Sequence, residues 1–211
     1  MRTIETNIYQ YAELSDAAKE KARDWCRNTI QDDVFYTESV YDDAAAVADL
    51  MGLDICQTRF TRCDGSHGYK PTIHYSGFWS QGDGACFEGR YRYKPGAVKA
   101  LADYAPQDLE LQRIARELQK AQKRYFYRLT ASTTCARGNI TRVNVEGLDV
   151  NHVSYNVAHD TEGAVEEALT DFAHWIYRRL EREYKHSISD DVVVENIEAN
   201  EYEFTVDGAC A

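Results

Sequence analysis

The sequence predicts an α+β fold, with a central antiparallel sheet of about 5–7 strands and helices from both ends of the chain packed on it. Three observations lead there. Apolar residues recur at helical spacing near both ends, the middle carries the two-residue alternation of strands, and no strand–helix–strand alternation of a parallel sheet occurs. With 211 residues and 44% hydrophobic content the chain can bury one substantial core, and no Ser/Gly linker or internal repeat marks a boundary. The expectation is a single α+β domain over 1–211. It has N-terminal helices at about 15–51, a β-rich middle at about 53–150 with a helical insert at about 97–123, and C-terminal helices at about 161–200.

Residues 3–10 alternate (Ile4, Thr6, Ile8, Tyr9) and read as a first strand. Ser15 is a good N-cap for a helix whose apolar line is Ala18, Ala22, Trp25 and Cys26. A second helix covers Glu38 to Met51, with Val40, Ala44, Val47, Ala48 and Met51 inward and Gly52 as terminator. Leu53–Arg62, Pro71–Phe78 and Cys86–Lys94 read as strands, separated by a turn at 64–68 and a loop at 80–84. Pro95-Gly96 breaks the third, and helices follow at Ala97–Tyr104 and Gln107–Lys123. Tyr125–Ala136 and Asn139–Val150 form a hairpin around Arg137-Gly138-Asn139. In the C-terminal helix Val165, Ala168, Leu169, Phe172, Trp175, Ile176 and Leu180 share one face, with acids early and bases late to suit the macrodipole. Ser189 starts a further helix to about Asn200, against which the run Val192–Val194 leaves a strand open; Glu201–Val206 returns as an edge strand.

Charge is sorted along the chain. Residues 1–54 carry 5 basic and 12 acidic side chains, residues 55–142 carry 15 and 7, and residues 143–211 carry 4 and 16. A basic, Tyr-rich centre between acidic ends describes a protein with two electrostatic faces, which steer charged macromolecules better than they bind small metabolites. The expectation built on this is that the two signs occupy separate patches in the folded chain. Six scattered cysteines form no C-x-x-C pair, Met1-Arg2-Thr3-Ile4-Glu5 has no apolar core that could serve as a signal peptide, and no run has membrane-spanning length. A cytoplasmic protein with reduced thiols and no membrane contact is the expectation.

The loop Ser76-Gly77-Phe78-Trp79-Ser80-Gln81-Gly82-Asp83-Gly84-Ala85 is the most unusual stretch. Either its glycines supply positive φ while Trp79 fills the core, or it is a recognition loop in which Trp79, Gln81 and Asp83 meet a partner. It lacks the Lys and Ser/Thr of a phosphate cradle. Arg90-Tyr91-Arg92-Tyr93-Lys94 on a strand sets Arg90, Arg92 and Lys94 on one face and the tyrosines on the other, and Lys123–Arg128 is a second basic-aromatic stretch. Cations beside rings grip single-stranded nucleic acid, and the same pattern also describes a half-buried strand. Cys56, Cys63 and His67, or His152 and His159, lack zinc-site spacing, so no metal or other cofactor is expected. The pairs Asp32-Asp33, Asp42-Asp43 and Asp190-Asp191 read as helix starts and solvated faces, and no catalytic motif stands out.

Glu13–Arg23, Ser76–Phe87 and Asn200–Phe204, in that order, resemble a group of phage and prophage proteins, some labelled antitoxin-like. The resemblance implies a virus or mobile element of bacteria, assigns no reaction, and favours a helix for Ser189–Asn200. The expected function is non-enzymatic. An accessory protein binds a host protein or ribonucleoprotein, such as a CRISPR effector, and inhibits it by steric and electrostatic occupation in the bacterial cytoplasm. Expected contacts are Trp79, Gln81, Asp83, Arg90, Arg92 and Lys94, with Asp32, Asp33, Asp42 and Asp43 as an acidic patch. The alternatives are a regulator or antitoxin contacting nucleic acid directly, and a Cys/His hydrolase whose groups meet only in space.

Overall fold

The computed structural model describes residues 7–32 and 36–211, with the backbone alone for residues 31 and 32. The first-strand expectation at residues 3–6 lies outside these residues. The chain divides into two compact units, Met1–Glu38 with Leu180–Ala211, and Ser39–Arg179. The boundaries fall inside helices α2 (Tyr36–Met51) and α5 (His159–Ser187).

In the first unit α1 (Asp16–Asp32) packs on α6 (Asp190–Ala199), and β1 (Tyr9–Gln10) pairs antiparallel with β11 (Glu203–Phe204). Ser15 accepts the Ala18 amide at 3.4 Å, as its place before the helix requires. Ala18, Ala22 and Cys26 face Val193, Ile197 and the fully buried Phe204, and Trp25 stands edge-on to Tyr202 and Phe204. The Val192–Val194 run is therefore helical: Val193 belongs to the core stripe, and helical spacing puts Ile197 beside it.

The second unit is built on a five-stranded antiparallel sheet in the order β10 (Ser154–Asn156), β9 (Ile140–Leu148), β8 (Leu129–Ala136), β7 (Gly89–Arg92), β2 (Leu53–Ile55). The fold is α+β with a five-stranded antiparallel sheet. Leu53, Tyr91, Ala131 and Val145 lie in one register row on the buried face. Met51 of α2 and Ala115 and Leu118 of α4 (Leu109–Arg124) lie against Tyr91 there. Burial of both ring and chain lifts the Tyr91 hydroxyl to about 12. Phe172 of α5 meets Phe87 of β6 (Ala85–Phe87) edge to face. Asp108 caps α4 by accepting the Leu111 amide at 3.1 Å, and α3 (Ala97–Tyr104) precedes it.

Gln122 of α4 stands in for a strand. It is fully buried, its amide nitrogen donates to the Leu129 carbonyl at 2.9 Å, and its carbonyl accepts the Leu129 amide at 3.1 Å. Two backbone groups that burial would otherwise orphan are thereby satisfied.

The long strands expected at 53–62, 71–78 and 86–94 are each broken, at Cys56, Thr72 and Glu88. The three breaks form a closed ring of hydrogen bonds. The Cys56 amide donates to Glu88 at 2.8 Å, the Glu88 amide to Thr72 at 3.0 Å, and the Thr72 amide to Cys56 at 2.7 Å. Before and after this junction the strands change partners: β2 pairs with β7, β3 (Gln57–Thr61) with β4 (His67–Pro71), and β5 (Ile73–Tyr75) with β6. At the other end of the β2–β7 pairing Gly52 adopts φ +85, where a Cβ would strike the Arg92 carbonyl.

Cys86 and Cys135 are joined in a disulfide, with Cα atoms 5.5 Å apart, which corrects the expectation of six reduced thiols. Strands β6 and β8 bring together two residues that sequence spacing alone gives no reason to pair. Among the described residues no helix is long and apolar enough to cross a membrane.

Candidate functional site

The face of the sheet opposite Tyr91 carries the polar residues of the strands. Register rows set Asp54, Arg90, Ser132 and Asn144 side by side, and Arg92, Thr130, Glu146 and Asn156 beside them. An open groove of about 730 Å³ lies over this face, and Tyr93, Tyr127, Arg128, Asp149 and His152 are among the further residues that line it. Arg90, Arg92 and Arg128 are exposed and make no ion pair among the described residues. Elsewhere in this unit Arg113 is paired with Asp171 at 2.6 Å, Arg124 with Asp160 at 2.9 Å and Arg179 with Asp43 at 3.2 Å, while Arg59, Arg62, Arg116, Arg137 and Arg142, like the groove arginines, make no ion pair among the described residues.

Two acids share the groove. Glu146 accepts a long 3.4 Å bond from Asn144. Asp149 is turned onto its own loop, where its carboxylate accepts the amides of Asn151 at 2.7 Å and Val153 at 2.8 Å. Arg90, Arg92 and Arg128 therefore share the groove with the Glu146 and Asp149 carboxylates, and Asp54 stands directly across from Arg90 on the same face. At one end Tyr93 and Tyr127 lie with ring centroids 4.4 Å apart and planes tilted by 35°. Tyr127 reaches this place because Phe126 and Tyr127 both adopt positive φ, 53° and 62°, in the tight turn between α4 and β8. Positive φ is uncommon outside glycine, so the turn is held by its surroundings: the Tyr127 amide donates to Gln122 at 2.8 Å and the Arg128 amide to Tyr125 at 3.0 Å.

The sequence pattern of a domain of unknown function, DUF8835, matches residues 36–190. The chain belongs to the DUF8835 family. No curated protein and no solved structure matches it. The DUF8835 segment holds the whole sheet, the groove and helices α2 to α5, whereas α1 and β11 lie outside the match.

Within the DUF8835 segment the residues singled out from sequence divide. Arg90 and Arg92 sit on one face, as their strand spacing requires, and both line the groove. Lys94 does not join them. Strand β7 ends at Arg92, and the Lys94 ammonium turns to the C-terminus of α2, donating to the Asp49 carbonyl at 2.8 Å and carboxylate at 3.0 Å. Trp79 is 75% exposed and so does not fill the core; the half-buried Phe78 stacks on Tyr75 and leans on Tyr177. Gln81 is exposed at the tip. Asp83 does not present outward: one carboxylate oxygen accepts the amides of Trp79 at 2.9 Å and Ser80 at 2.6 Å. The Ser80 and Trp79 amides hold the Asp83 carboxyl below its ordinary value.

The acidic patch expected from Asp32, Asp33, Asp42 and Asp43 is not assembled by the described residues. Asp33 and the Asp32 side chain lie outside them. Asp42 is exposed, while Asp43 is tied to Arg179 and accepts the Tyr104 hydroxyl at 2.7 Å. Folding thus mixes the charge that is sorted along the chain: Asp54, Glu146 and Asp149 of the acidic segments join the arginines of the sheet face, and on the helices Arg113 and Arg124 of the basic centre meet acids of the C-terminal third.

The stretch Lys123–Arg128 singled out from sequence supplies Tyr127 and Arg128 to the groove, whereas Ser132, Thr130 and Asn144 were missed as groove residues. The signal for the strand residues was present: Thr130, Ser132 and Thr134 alternate with Leu129, Ala131 and Thr133, a half-buried pattern. Reading the strand from Tyr125 concealed the turn that carries Tyr127 and Arg128.

Proposed function

We propose that the DUF8835 sheet face binds single-stranded nucleic acid and that the protein acts as a binding module rather than an enzyme. One observation carries this reading: Arg90, Arg92 and Arg128 stand without ion pairs in a groove that ends in the Tyr93–Tyr127 ring pair. Unpaired guanidiniums attract phosphates, and exposed rings accept unstacked bases of any sequence. From β7 to β10 the face spans ~14 Å at the usual strand spacing of ~4.8 Å, room for about two or three bases. The open shape suits a strand lying across it better than a small molecule needing enclosure. Fluorescence anisotropy with labelled single-stranded DNA and RNA tests the proposal. Binding should outcompete a duplex of equal length and fall with added salt, and Arg90→Glu with Arg92→Glu should abolish it. Equal affinity for the charge-reversed protein would refute the assignment.

A second reading rests on loop 76–84, where Trp79 is 75% exposed beside Gln81 on a loop fastened by Asp83. A large ring on a braced loop is how protein hot spots are built. Together with the resemblance to phage and prophage proteins, it supports capture of a bacterial host ribonucleoprotein, such as a CRISPR effector, within the host cytoplasm. The arginine groove would contact its nucleic acid. Pull-down from host lysate, with and without nuclease, tests it. Capture should be lost with Trp79→Ala, and capture indifferent to Trp79 removes the loop from the contact.

A further inference from the structure

A second cluster lies apart from the arginines. His74 and Cys86 are cross-strand partners on β5 and β6, so their side chains share a face, and Glu88 follows two residues on along the same side. A His74 ring nitrogen, a Glu88 carboxylate oxygen and the Cys135 sulfur all lie within 4.8 Å of one another. Cys86 is bonded to Cys135, which brings a fourth donor to the same point. Neither the His74 ring nor the half-buried Glu88 carboxylate has a hydrogen bond or ion pair among the described residues, so both are uncommitted. The backbone beneath them is fixed, because Glu88 belongs to the hydrogen-bonded junction with Cys56 and Thr72.

We propose that His74, Cys86, Glu88 and Cys135 form a site for a divalent transition metal of the zinc class, available only when the Cys86–Cys135 disulfide is reduced. Two thiolates, an imidazole and a carboxylate are the donor set that zinc accepts in four-coordinate sites. Donors around a tetrahedral zinc stand about 3.3–3.8 Å apart, given bonds of ~2.0–2.3 Å. The cluster needs to contract by about 1 Å, which rotation of the exposed His74 side chain and separation of the two sulfurs supply. The chemistry is an exchange. A thiol reductant, two RSH, gives two electrons and two protons to the disulfide and leaves as RSSR. The resulting pair of thiols binds the metal and releases two protons. In reverse, a disulfide oxidant takes two electrons from the metal-bound thiolates, leaves as two thiolates, and the metal departs. Metal occupancy and the disulfide therefore exclude each other. Nothing in this inference depends on the nucleic-acid reading.

The test uses the full chain carrying Cys56→Ser, Cys63→Ser and Cys210→Ser, which removes the exposed free thiols. After reduction with a phosphine, Co²⁺ is titrated as a spectroscopic probe and Zn²⁺ is then added. The expected result is stoichiometric Co²⁺ uptake with sulfur-to-cobalt charge transfer and tetrahedral d–d bands, displaced by Zn²⁺ and absent from the oxidised chain. His74→Ala and Glu88→Gln should each weaken uptake by more than about tenfold, because even changes outside the ligand set cost that much. Circular dichroism of both variants in the disulfide form checks that they fold. The proposal is overturned if the reduced chain takes up no Co²⁺, or if uptake is indifferent to oxidation or to both substitutions. A reduced chain that unfolds and is not restored by metal overturns it equally.

Discussion

Tyr93 and Tyr127 lie with ring centroids 4.4 Å apart, tilted by 35°, although one follows a strand and the other sits in a left-handed turn. Their contact closes one end of the arginine groove and leaves Tyr127 43% exposed. Tyr127→Ala should therefore lower affinity for single-stranded oligonucleotides by about 1–3 kcal/mol, the usual loss for one stacked base. Anisotropy titration at fixed salt reads the change, and an unchanged melting temperature shows that the fold is intact.

Arg90, Arg92 and Arg128 should differ from Tyr127 in how they respond to salt. Each Arg→Ala change should reduce the slope of log affinity against log salt by about 0.7–1, one phosphate contact apiece, whatever the oligonucleotide sequence. Lys94→Ala should leave the slope unchanged, since its ammonium is held by Asp49. A slope that follows Lys94 instead would place the contact elsewhere.

Gln122→Ala should destabilise the protein. It orphans the buried amide and carbonyl of Leu129, at about 1–3 kcal/mol for each group, and chemical denaturation measures the total. Gln122→Glu should be nearly as damaging, because a carboxylate keeps the acceptor and loses the donor.

Loop 76–84 should loosen in acid. Its Asp83 carboxyl is held below the ordinary 3.8 by the Ser80 and Trp79 amides, so the loop's order is complete above 3.8. It is lost as pH falls through the lower folded value. Trp79 fluorescence should report this transition beneath pH 3.8, and Asp83→Ala should abolish the transition by leaving the loop loose at every pH.

Phe204→Ala tests the first unit separately. Phe204 is fully buried against Trp25 and the α1 alanines, and its truncation should cost about 3–5 kcal/mol. Differential scanning calorimetry measures the loss.

Local pattern reached the helices well. The stripe from Val165 to Leu180 and the line from Val40 to Met51 are buried throughout, because a helix face is decided by its own spacing. It did not reach the breaks at Cys56, Thr72 and Glu88, whose cause is hydrogen bonding among three distant segments. The same holds for the site. Strand alternation placed Arg90 and Arg92 on one face, but the end of β7 removed Lys94 and the partner Arg179 engaged Asp43. The positive φ of Tyr127 has no local signature in a Tyr-Phe-Tyr run, so the aromatic end of the groove had to be seen.

The ring of amides at Cys56, Thr72 and Glu88 also decides where this protein tolerates change. Because each strand there is threaded to two others, sliding one by a residue would undo both neighbours, so the junction acts as a lock-nut. The arm from Gln57 to Pro71 can accept insertions at its Asp64-Gly65 tip while the pitch of Arg90 and Arg92 stays fixed. Length variation among DUF8835 chains is expected to collect at that tip and to spare the lattice beneath it.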